Sequence, residues 1–73
     1  MGIYERVGYK ICNARKRKKM TQKELAEKVG CSVQMIGCAE RGTRRISLNF
    51  LERVAAALEV DYMDLINHDT PRE

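Results

Sequence analysis

An all-α fold of five short helices is predicted for this 73-residue chain, and three features predict it. Apolar residues recur at intervals of three and four, the spacing of one helix face. Thr21, Ser32, Ser47 and Asp61 stand just before periodic segments, where helix N-caps belong. No alternating strand pattern and no internal repeat occurs, and the sole proline is Pro71. With 44% hydrophobic and 33% charged residues the composition is that of a folded domain. A chain this short buries only about 60% of the surface its unfolded form exposes, so it leans on well-packed helices or on a partner. Residues 1–67 are expected to form one domain and residues 68–73 a flexible tail.

The first helix is expected from Tyr4 to about Lys18, with Tyr4, Val7, Ile11 and Ala14 on its apolar face and the cations of "RKRKK" at its C-terminal end. "TQKE" is a capping box that starts the second, Thr21 being the cap and Glu24 its reciprocal partner. Leu25, Ala26 and Val29 form its stripe, and Gly30 is placed to leave it in a left-handed turn. Ser32 caps the third, with Ile36 and Ala39 inward and Gly42 ending it. So tight a connection between helices two and three gives a steep crossing, the helix-turn-helix geometry. Ser47 caps the fourth, with Leu48, Leu51, Val54, Ala55 and Leu58 inward. Asp61 caps a short fifth, in which Leu65 and Ile66 pack.

Charge is unevenly distributed. Residues 1–20 carry +6, residues 21–45 carry +2 and residues 46–73 carry −4, within a net charge of +4. The N-terminal two-thirds is suited to an anionic partner, the plain alternative being a solvated basic surface. "RKRKK" has the composition of a nuclear localisation signal, but at the end of a helix its role reads as electrostatic. The start "MGIYERVGYK" lacks the apolar run of a signal peptide, and no stretch approaches a membrane span. These features and three unpaired-looking cysteines point to a reduced cytoplasmic setting.

Chemistry other than binding finds little support. One histidine (His68), no nucleophile paired with a base, no metal-ligand spacing and no phosphate-binding glycine loop argue against an enzyme and against a cofactor or metal. Cys31 falls in the turn and Cys38 two helical turns on, roughly 10 Å away at ~1.5 Å rise per residue. That exceeds the span of a disulfide, about 7 Å at most. Cys12, Cys31 and Cys38 therefore read as structural rather than redox residues.

The stretch "TQKELAEKVGCSVQMIGCAERG", followed by a helix ending "AAALEV", resembles the lambdoid phage repressor and Cro family, also called the Xre family. The resemblance runs from about Val7 to Ile66. It implies a compact five-helix domain of the lambda-repressor type that binds double-stranded operator DNA, commonly as a homodimer, and regulates transcription. It also implies that helix three enters the major groove while helix two lies across the backbone. Carried over by position, Gln22 contacts phosphate, and Ser32, Val33, Gln34 and Cys38 occupy the DNA-facing edge of helix three. Arg15 pairs with Glu40. Members often place serine and a long polar residue where this chain has Gly37 and Cys38.

The residues support parts of this independently. Helix N-termini at Thr21 and Ser32 present unpaired N–H groups suited to phosphate. Lys23, Arg41, Thr43, Arg44 and Arg45 stand where they can grip the flanking backbone. By the family resemblance, base contact falls to Val33, Gln34 and Cys38. Tyr62, Met63 and Ile66 supply more apolar surface than a short last helix needs, so the dimer contact is expected there. A second class of function remains open, in which the acidic C-terminal helices hold a protein partner in the manner of a small antitoxin or coactivator-like module.

Overall fold

The computed structural model of the chain describes residues 2–66 as five helices: α1 (Ile3–Arg17), α2 (Gln22–Val29), α3 (Val33–Arg41), α4 (Leu48–Leu58) and α5 (Tyr62–Ile66). No strand occurs among the described residues. The tail expected at 68–73, with His68, lies outside them.

The caps explain where the helices start. Thr21 Oγ1 accepts the Glu24 N–H at 3.0 Å, and the Thr21 N–H donates to Glu24 Oε1 at 2.8 Å. Ser32 and Ser47 each accept an N–H three residues on, from Met35 and Phe50, both at 3.0 Å. Asp61 Oδ1 accepts the Met63 N–H at 3.0 Å. Each satisfies a donor that the first helical turn leaves without an internal partner. Gly30 and Gly42, at φ +87 and +73, end α2 and α3 in the left-handed region. α4 ends the same way on Glu59, a residue with a Cβ, at φ +60. Its carboxylate takes the Lys18 Nζ at 2.8 Å, and that cation holds the Glu59 carboxyl below its ordinary pKa.

Ile11, Leu25, Ile36, Val54 and Leu58 are fully buried, one or two from each of the first four helices, and Leu65 of α5 closes the core. α1 packs chiefly on α3, α2 on α3 and α4, and α5 on α4 and α1. Two expected core positions are corrected. Tyr4 is exposed, because the buried stripe of α1 begins one turn later at Val7. Leu48 is 65% exposed, and Phe50 is buried instead. At 3.6 residues per turn Leu48 points about 90° from the middle of the Phe50–Leu51–Val54–Ala55–Leu58 stripe, and as the first residue of α4 it has no helix in front of it.

One contact fixes α1 against α3. A Cβ on Gly8 would lie well inside 3.0 Å of the Ala39 and Glu40 carbonyl oxygens. The two helices therefore touch backbone to backbone, an approach that only glycine allows. Just beyond, at the C-terminal cap of α3, a Cβ on Gly42 would meet the Glu5 backbone almost as closely.

Candidate nucleic-acid interface

α3 is divided lengthwise. Ile36 and Ala39 are buried in the core, whereas Val33 is 48% exposed and Gln34 is exposed. Gly37 and Cys38 follow one turn later on the outer side, since residues three and four apart share a helix face. The outer edge thus carries one amide, one branched apolar side chain and a half-buried thiol.

The inner end of α3 is anchored by a charged node. Arg15 Nε donates to Glu40 Oε2 at 2.6 Å and its Nη2 to Oε1 at 3.2 Å, a two-pronged pair between α1 and α3. Their side chains are only 11% and 6% exposed. Arg15 Nη1 also donates to the Met20 carbonyl at 2.8 Å, tying down the turn before α2. Gln22 Nε2 donates to Glu40 Oε1 at 2.9 Å, so the first residue of α2 joins the same carboxylate. Burial alone raises the Glu40 pKa. The hydrogen bonds from Arg15 and Gln22 and the charge of Arg15 outweigh it and hold the carboxyl below its ordinary value. The hydrogen bond to Glu40 correspondingly raises the Arg15 pKa.

Around the outer edge of α3 lie the remaining sequence candidates. Thr21 and Ser32 have their hydroxyl oxygens committed to capping, and Lys23 is exposed beside Thr21. Thr43 Oγ1 donates to the Cys38 carbonyl at 3.3 Å. Arg44 and Arg45 are exposed in the loop before α4, and exposed Leu48 and Asn49 follow the Ser47 cap. Arg41 does not project away from the helix end. Its Nη2 donates back to Cys38 Sγ at 3.6 Å, which lays the guanidinium over the preceding turn. Tyr62 and Ile66 are half-buried against the core, and Met63 is 49% exposed.

Cys12, Cys31 and Cys38 are all free thiols. Burial pushes the Cys31 thiol up, against the opposing charge of Arg53. Among the described residues no group of three or more histidine, cysteine or acidic residues is arranged to hold a metal, and no helix is long and apolar enough to cross a membrane.

Residues 13–65 match the helix-turn-helix family (HTH_3). The chain belongs to the repressor/Cro helix-turn-helix family. It is 38% identical over 64 residues to an immunity repressor protein of Bacillus phage phi105, covering 88% of this chain and 44% of the relative. It is 35% identical over 68 residues to the transcriptional regulator SinR of Bacillus licheniformis, covering 92% of this chain and 61% of that protein. The chain thus spans about half the length of these relatives. It also superposes on the restriction-modification controller protein C.AhdI from Aeromonas hydrophila with a TM-score of 0.83 at 29% identity, covering 85% of this chain and 94% of that one. In this helix-turn-helix protein α2 and α3 are the two helices of the motif.

Several contributors leave no signal in the sequence. Gly8 and Gly42 carry no local sign of close approach, because the partner backbone lies more than 30 residues away in sequence. Arg53 Nη2 donates to the Val29 carbonyl at 2.8 Å and so closes the C-terminal end of α2. A basic residue on the solvent side of α4 gives no hint of that role.

Proposed function

We propose that this chain binds double-stranded DNA selectively, with α3 in the major groove and α2 across the backbone, and represses transcription from the bound site. The division of α3 carries this reading. Its inner edge is spent on the core, and its outer edge presents Val33 and Gln34 beside two capped helix N-termini and the exposed Arg44 and Arg45. The Gln34 amide can donate to N7 and accept from N6–H of adenine at once, while Val33 covers a thymine methyl. Gln22 keeps one amide hydrogen on Glu40, and the other is available to a phosphate oxygen. The repressor named among the relatives supports the regulatory half of the reading.

Selection of bound sequences from a random duplex pool, followed by a salt titration, tests it. With about four to six phosphates contacted per subunit, log affinity falls with log salt by ~0.9 per contact. A flat salt response removes the DNA reading. Gln34→Ala is expected to flatten the preference at one A·T position and to leave binding to random duplex nearly intact. Unchanged preference at every position would make Gln34 a bystander.

We further propose that two copies associate through α5. Met63 gives the cleaner test, because Ile66 is half-buried on its own core. Met63→Glu is expected to shift sedimentation toward the monomer without lowering the melting temperature. A dimer that survives the substitution places the contact elsewhere.

A further inference from the structure

From the placement of its guanidinium, we infer that Arg41 reads a guanine base, seated in the space that Gly37 leaves empty on the outer edge of α3. The inference rests on the DNA-binding reading above. Apart from the adjoining residues and the backbone of the helix itself, the three heavy atoms nearest to a Cβ built on Gly37 all belong to the Arg41 guanidinium, with Nη1 at 3.2 Å and Cζ and Nη2 at 3.9 Å. Gly37 is buried although it lies on the outer side of the helix. The Arg41 guanidinium lies over it.

Helical side chains lean toward the helix N-terminus and over the turn before their own Cα. Arg41 therefore reaches back to positions 37 and 38, one turn behind Val33 and Gln34. There a long, planar, permanently charged group replaces the reach that glycine and cysteine lack. Its donor contact is to the Cys38 thiol at 3.6 Å, a weak acceptor, and not to a carboxylate. The Glu40 carboxylate next to it in sequence is already taken by Arg15 and Gln22. The fork is thus free to exchange a soft contact for the O6 and N7 acceptors of guanine, which match its geometry in the major groove. A larger residue at 37 would fill the seat, which gives the glycine in mid-helix a reason.

The test compares wild type, Arg41→Ala and Gly37→Leu by selection from a random duplex pool and by salt titration, with thermal melts to confirm folding. Wild type is expected to enrich guanine at one position of each half-site, near the adenine read by Gln34. Arg41→Ala is expected to lower discrimination at that position on the order of tenfold. Gly37→Leu is expected to do the same with every charge retained and low-salt binding to random duplex kept. If Gly37→Leu fails to fold, Arg41→Ala decides. A uniform loss of affinity in Arg41→Ala, with the salt slope reduced by about one contact, would make Arg41 a phosphate ligand and overturn the inference. So would a wild type that binds without any guanine preference. A wild type that binds no duplex removes the DNA reading and this inference together.

Discussion

Gly8→Ala is expected to destabilise the fold by about 3 kcal/mol or more, as overpacking against unyielding neighbours does. The added methyl would meet the Ala39 and Glu40 carbonyl oxygens, backbone atoms that cannot rotate away. Relief requires α1 and α3 to separate, which loosens Ile11 and Ile36 in the core as well. Small proteins hold about 0.05–0.15 kcal/mol per residue, so the loss takes a large part of what a domain of this size has. At roughly 4–8 °C per kcal/mol the melting temperature falls by more than about 12 °C. Gly37→Ala is the matched control, since its methyl meets only the movable end of Arg41. It is expected to gain up to about 1 kcal/mol from helix propensity. Equal melting of the two variants would show that the α1–α3 seam can open to admit a methyl group.

Arg15→Ala is expected to cost about 3 kcal/mol, because it leaves the Glu40 carboxylate buried with Gln22 as its remaining strong donor. Glu40→Gln should cost less, since Arg15 keeps the Met20 carbonyl and can still donate to an amide oxygen. Melts of the two single variants and the double variant measure the coupling, and additive losses would dissolve the pair. Acid supplies a second measurement. Glu40 has its folded pKa lowered, so its contribution is complete above the ordinary carboxylate value of about 4.3. That contribution is lost as pH falls through the lowered folded value. Without Arg15 two of the influences that lower the folded value are gone, so protonation costs the variant less. The gap between wild type and Arg15→Ala is therefore expected to narrow as pH falls from 7 through about 4.

What is legible in the sequence is local. Thr21, Ser32, Ser47 and Asp61 cap helices through bonds to residues two or three positions on, so short windows contain both partners. Gly30 and Gly42 end helices for reasons equally local. The Arg15–Glu40 contact spans 25 residues and follows from the family resemblance alone, and the structure places the two side chains together. Leu48 misleads because its spacing to Leu51 and Ala55 fits a helix face, while its place at the helix end decides its exposure. The family resemblance turns Gln22 toward phosphate, whereas its bond to Glu40 depends on how α2 and α3 cross. Arg41 reads in the sequence as a cation in a flank. Its seat over Gly37 follows from a missing side chain four residues earlier, which charge counting does not register.

The lengthwise division of α3 bears on how such a protein changes over time. Val33 and Gln34 are exposed and can vary in side chain without disturbing Ile36, Ala39 or the Gly8 seam beneath them. Binding preference and thermal stability therefore sit on separate sets of residues a few ångströms apart. A lineage can drift toward a new target site one outer residue at a time, passing only through folded intermediates. The same separation makes the outer edge a natural place to build a library of variants on an unchanged scaffold.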